Sequence, residues 1–121
     1  MGSVVVLDTN IFIYQANGLL KNPLSLGNFA ISLITEIEAF GYKNLTPETE
    51  SILRALHASV TTIGIDEQIK EEAIRLRKSF TIRTPDAIVV ATALVLEAQL
   101  YTNDMSLHNI PGLVAVALDL K

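Results

Sequence analysis

The sequence has no cysteine, no tryptophan and only two histidines. Lack of cysteine excludes a disulfide framework, a thiolate nucleophile and cysteine-bound zinc. His57 and His108 lie far apart and in neither HxxxH nor HExxH spacing, so they read as surface or half-buried side chains, not as metal ligands. Long apolar runs are also missing. The most apolar stretch, Ala87 to Leu96, is about half the length of a bilayer span, and Val4 to Leu7 reaches an acid too soon to be a signal-peptide core. Charge is sparse at 18% of residues, with a net −4 that argues against broad electrostatic binding of nucleic acid. The expectation is a cytoplasmic protein with no membrane contact.

What is present is apolar: half of the 121 residues are hydrophobic. That length predicts a single domain over residues 1–121, able to bury a real core. A mean hydropathy of +0.40 is high for so small a soluble chain, and it predicts that some apolar surface is covered by another chain, most simply in a homodimer.

Five short apolar or β-branched runs read as strands: Val4 to Leu7, Phe29 to Ile34, Val60 to Ile65, Gln99 to Thr102 and Leu113 to Leu118. Helix signals fill the gaps. Asn10 to Ala16 is short and apolar, and Thr35 starts a second helix. Thr46-Pro47-Glu48 supplies a cap, a first-turn proline and an acid. Asp66 caps Glu67 to Phe80, and Thr84-Pro85-Asp86 opens a helix from Ala87 to about Ala98. Continuous apolar strands alternating with helices predict an α/β fold, a three-layer α/β/α sandwich around a mostly parallel five-stranded sheet.

In a parallel sheet the C-terminal ends of the strands share one edge, and the returning helices begin there. Asp8 follows the first strand, Glu38 and Asp86 are expected in the first turns of their helices, and Asp104 follows the fourth strand. Taken singly, each acid has an ordinary explanation: Asp8 as a helix cap, Glu38 as part of a Thr35-x-x-Glu38 capping box, Asp86 as a first-turn acid, Asp104 as a turn residue. Capping does not require all four at one edge, however. Clustered carboxylates repel unless a cation lies among them, and an all-oxygen donor set suits Mg²⁺ or Mn²⁺. Glu36 neighbours Glu38, but residues two apart on a helix do not share a face, so at most one of the two is a close ligand.

The stretches that carry these acids resemble the PIN-domain ribonucleases, in particular VapC-like toxins of toxin-antitoxin pairs. V-V-V-L-D-T-N-I-F-I-Y is similar to the first motif of that family, and I-S-L-I-T-E-I-E-A-F-G-Y to its S-x-I-T-x-x-E-L-x-x-G segment, which aligns Glu38 with the acid. T-P-D-A-I-V-V-A-T-A-L carries Asp86 and L-Y-T-N-D-M-S-L-H-N-I-P-G-L carries Asp104, in the manner of the third and fourth motifs. The resemblance runs from about residue 4 to residue 114. Ala39 stands where the family usually has leucine, a packing change.

The resemblance implies metal-dependent hydrolysis of RNA phosphodiesters, with Asp8, Glu38, Asp86 and Asp104 as catalytic ligands of Mg²⁺ or Mn²⁺. Thr9, Asn10, Thr102 and Asn103 would support the carboxylates, or else serve only turn and cap bonding. A small antitoxin would be the protein partner. The charge objection is answered by subtraction: thirteen acids less the four proposed ligands leave nine, against nine Lys and Arg. Arg75, Arg77, Lys78 and Arg83 form the densest basic group, and are candidates for RNA or partner contact as well as for a plain solvated face. Two other functions compete. A phosphatase or phosphotransferase with an Asp nucleophile would use Asp8 and Asp104, although position 10 is Asn where such enzymes usually carry a second Asp; a catalytically silent PIN-like binding module would use none of the acids.

Overall fold

A computed structural model of the protein describes residues 3–25 and 27–121. Five strands form one sheet in the order β3-β2-β1-β4-β5: β1 Val5–Leu7, β2 Phe29–Ser32, β3 Thr61–Ile63, β4 Gln99–Tyr101 and β5 Ala115–Val116. Every strand pair is parallel, so the sheet is wholly and not mostly so. The antiparallel contact is an isolated bridge between Leu20 and Leu120.

The helices are α1 Thr9–Ala16, α2 Leu33–Phe40, α3 Pro47–His57, α4 Glu67–Ser79 and α5 Thr84–Val95, with a short 3-10 helix over Met105–Asn109. They cover both faces because strand side chains alternate. On β1, Val6 joins a core with Ile69, Leu76, Ala87 and Val90 of α4 and α5. Its neighbour Leu7 joins the opposite core, with Ile11 and Phe12 of α1, Ala39 of α2 and Leu53 of α3. Three layers follow from that alternation. No helix among the described residues is long and apolar enough to cross a membrane.

Local chemistry sets the helix ends, and those of α2 and α5 differ from the sequence expectation. Thr46 and Asp66 cap α3 and α4 as their positions predict, accepting hydrogen bonds from the amides of Thr49 and Ile69. For α2 the cap is Ser32, whose hydroxyl accepts from the Ile34 amide at 3.1 Å. The helix therefore starts at Leu33, β2 stops at Ser32, and Thr35 is free for another bond. Glu38 consequently falls in the second turn, and the proposed Thr35-x-x-Glu38 capping box does not form. α5 starts at Thr84, three residues earlier than expected, with proline in its first turn. It ends at Val95, before Glu97 turns into the left-handed region at φ 52°.

The strand order places a reversal between β1 and β4. From β1 the chain winds outward through β2 to β3, then crosses back to lay β4 on the other side of β1. Beyond the carboxyl ends of such a pair, the two connections leave in opposite directions and a crevice opens. Asp8 and the Thr102-Asn103-Asp104 segment leave β1 and β4 at that crevice.

Candidate active site

The crevice is organised around Asp8. Its amide donates to the Tyr101 carbonyl at 3.0 Å, extending the β1–β4 pairing by one step. Its Oδ1 caps α1 by accepting from the Thr9 amide at 2.8 Å. The other oxygen, Oδ2, accepts the hydroxyl of Thr102, a fully buried residue on the neighbouring strand's exit, at 2.6 Å. Thr102 Oγ1 in turn accepts from the Asp104 amide at 3.1 Å. One buried threonine thus fixes the acid after β1 and the backbone of the acid after β4.

Thr9 links the third acid. Its hydroxyl lies 2.9 Å from Glu38 Oε1 and 3.0 Å from the hydroxyl of Thr35, which is fully buried. Glu38 is thereby drawn toward α1 and the crevice. Glu36 is not: it pairs with His57 of α3, whose ring also meets Thr62 and the edge of Phe40. Two residues of separation on α2 send the two glutamates to different surfaces, as the helical spacing requires.

Asp86 lies in the first turn of α5, and Asp104 precedes the 3-10 helix as its cap. Burial pushes the Asp8 carboxyl above its ordinary range; the bonds from Thr102 and Thr9 pull it back, and the negative charges of Asp86 and Asp104 push it up further. Both acids therefore act on Asp8 through the crevice. Asp104 Oδ1 caps the 3-10 helix, accepting from the amide and hydroxyl of Ser106 at 3.1 and 2.7 Å. Asp86 Oδ2 faces the guanidinium of Arg83, with Nε at 3.6 Å.

The supporting residues divide. Thr9 and Thr102 touch carboxylates. Asn103 does not: its side chain exchanges two bonds with the Leu118 backbone, at 2.7 and 2.9 Å, and steadies the loop that carries Asp104. Asn10 is exposed on the first turn of α1. Among the basic residues, Arg75 is engaged with Glu72, Arg77 donates to the Ile82 carbonyl at 2.6 Å, and Arg83 is the one set against an acid of the crevice. Lys78 lines a groove between α4 and α5 together with Ile74 and Ile88. Thr35, Ser106 and His108, whose ring meets the Thr102 carbonyl at 2.9 Å, were not marked as site residues by the sequence. Spacing offered a signal for one of them, since an aspartate cap accepts from the amide two residues on, which after Asp104 is that of Ser106.

Among the described residues, no three His, Asp or Glu side chains close up tightly enough to hold an ion. Each acid is engaged in a bond of its own: Asp8 with Thr102, Glu38 with Thr9, Asp104 with Ser106, and Asp86 beside Arg83. The donor chemistry nevertheless fits a hard divalent cation: every donor is an oxygen, and Asp8 carries a charge that burial and two neighbouring acids disfavour.

A doubly wound parallel sheet with acids at its reversal point defines a class of α/β ligand-binding and catalytic domains. Within that class the PIN domain family model matches residues 5–113, and the chain belongs to that family. A chain of a toxin-antitoxin complex from Klebsiella pneumoniae is 31% identical, with a TM-score of 0.71 over 91% of this chain and 95% of that one. VapBC2 from Rickettsia felis, bound to a promoter DNA fragment, shares the fold at TM-score 0.78 and 24% identity, over 96% of this chain and 99% of that one. DNA-bound VapBC from Salmonella typhimurium shares it at TM-score 0.80 and 21% identity, over 95% and 98%. No curated protein sequence matches the chain.

Proposed function

We propose that this protein is a VapC-like toxin that hydrolyses RNA phosphodiester bonds with the help of Mg²⁺ or Mn²⁺. The observation that carries the reading is Asp8: a carboxylate raised by burial and by two further acids, at the reversal point of a PIN-family sheet. Membership in that family counts against the aspartyl-phosphate chemistry of a phosphotransferase.

Asp8, Glu38, Asp86 and Asp104 would hold the ion, directly or through water. Once bound, it supplies positive charge to the phosphoryl oxygens and to the departing oxygen. The chain's own groups supply orientation. Thr102 and the Thr9 amide hold the two oxygens of Asp8, so that this carboxylate cannot swing away. The Thr9 hydroxyl aims Glu38. The cap on the 3-10 helix uses Oδ1 of Asp104, which leaves its second oxygen to face a cation or to take the proton of an attacking water.

The toxin-antitoxin relatives support a small antitoxin as the partner that restrains this activity. A homodimer is proposed on separate grounds: Ile37, Tyr42, Ile52, Ile65, Ile74, Met105 and Val114 are large apolar side chains exposed on the single chain.

The test is cleavage of RNA by purified protein with Mg²⁺, with Mn²⁺ and with EDTA, beside the Asp8→Asn variant. Metal-dependent cleavage lost in the variant is expected. A folded variant that cuts at the parent rate would assign the activity to a contaminating nuclease and end the proposal. A wild type that binds Mn²⁺ and cuts nothing would make the chain a silent binding module.

A further inference from the structure

Next to the crevice lies a pocket that the catalytic reading leaves unused. Phe80 and Ile82, from the link between α4 and α5, face Leu107 and Ile110 across a space of about 150 Å³. Thr81, Ser106 and Asn109 complete its lining. Ser106 belongs to both places, because its hydroxyl donates to Asp104 Oδ1 at 2.7 Å. One of its lining residues is therefore bonded directly to one of the four acids.

Cations flank it. Arg77 donates to the carbonyl of Ile82, a wall residue, and Arg83 follows Ile82 in the chain with its guanidinium against Asp86. A strand of RNA that brings a phosphate to the acids would meet Arg83 as it leaves them. Its next base would then arrive at the pocket.

We infer that this pocket receives one unpaired pyrimidine base of the RNA, adjacent to the phosphodiester at the acids. The inference rests on the nuclease reading and adds a determinant of specificity to it. Proteins that recognise single-stranded RNA splay its bases out, stack them on aromatic rings and bond their polar edges. Phe80 supplies a half-buried ring, and Ser106 and Asn109 supply a hydroxyl and an amide among the lining residues. Size favours the smaller base: the space of about 150 Å³ has apolar walls of Phe80, Ile82, Leu107 and Ile110 and polar ones of Thr81, Ser106 and Asn109, and a volume of that order accommodates a benzene-sized ring. A pyrimidine is one such ring with polar substituents for the hydroxyl and amide of the lining, whereas a purine has two fused rings.

The test places the perturbation in the RNA, so that protein folding is not at issue. Backbone amide spectra of the wild-type protein, with Ca²⁺ in place of Mg²⁺ so that RNA can bind without being cut, are recorded with a ten-nucleotide oligouridylate, with the same oligomer made abasic, and with oligoadenylate. Shifts at residues 81, 82 and 106–110 are expected with oligouridylate, together with binding about tenfold tighter than that of the abasic strand, the scale of one stacked base. Oligoadenylate should shift the crevice residues and leave the pocket residues weakly affected. Equal shifts with base and abasic strands, or none at the pocket, would overturn the base site. That is also the result expected if the pocket takes an apolar side chain of a partner protein. Equal pocket shifts with oligoadenylate would overturn the pyrimidine assignment. Wild-type cleavage is scored separately: base-dependent shifts without cleavage remove the nuclease reading, and cleavage without base dependence removes the pocket.

Discussion

Replacing Thr102 by valine removes one hydroxyl and keeps the shape of a fully buried side chain. Two bonds go with it. The first is the 2.6 Å donation to Asp8 Oδ2, a bond to an ionised group worth about 2 kcal/mol; the second is the acceptor for the Asp104 amide, worth about 1 kcal/mol where water can partly replace it. Near neutral pH the variant should lose about 3 kcal/mol, on the order of 10 °C in Tm for a domain of this size. The loss should depend on pH. Burial places the folded Asp8 pKa above its unfolded value, so the folded state binds the proton more tightly and its stability falls as pH rises through that titration. The Thr102 hydroxyl opposes the shift by favouring the charged form. Without it the fall is larger, so wild type and variant diverge as Asp8 ionises and draw closer, toward about 2 kcal/mol, in acid, where both missing bonds join neutral groups. Urea denaturation in EDTA at several pH values measures this difference, with Thr102→Ser as the control that keeps the hydroxyl. A destabilisation that is the same at every pH, or below about 0.5 kcal/mol at neutral pH, would refute the role given to this bond.

Asp8→Asn should remain folded and lose on the order of a hundredfold or more in RNA cleavage, as removal of a direct charge-stabilising group does; with Asp8's folded pKa raised, its metal-free form should also be more stable than wild type above that titration, which thermal melts in EDTA would show. Millimolar Mg²⁺ should raise the wild-type Tm by mass action on the folded state and leave the Asn variant nearly unmoved, a contrast that calorimetry reads directly. Glu38→Gln should cost cleavage by a similar factor while Glu36→Gln, which alters the contact with His57, should leave the rate within about twofold; equal losses in single-turnover assays would show that the two glutamates have been misassigned. Ser32→Ala should destabilise the fold by about 1 kcal/mol through loss of the α2 cap, measured by urea melts, whereas Thr35→Val should also slacken Glu38 and lower the cleavage rate.

Much of this architecture could be read along the chain because it is local. Apolar runs separated by capped helices carry a parallel α/β fold in their periodicity, and Thr46 and Asp66 cap where their spacing places them. The four acids could be assigned to one sheet edge because a parallel sheet sends every strand end and every following helix start to the same side. The choice of Glu38 over Glu36 followed from motif spacing, and the Thr9 bond is consistent with it.

Other features have no local signature. Whether Ser32 or Thr35 caps α2 depends on where β2 stops pairing with its neighbours, and that is decided across the sheet. The sequence by itself determined the fold class, the family motifs and the acids that could matter, because each is encoded in periodicity or in a short run of residues. Only the tertiary structure decided that Thr102 grips Asp8 from 94 positions away, that Asn103 serves the Leu118 backbone beyond β5 and not a carboxylate, and that Phe80 and Ile110 line a pocket beside Ser106, the partner of Asp104. A bond or a cavity between distant segments exists only once the sheet has brought β1 and β4 side by side, and no pattern within either strand records it.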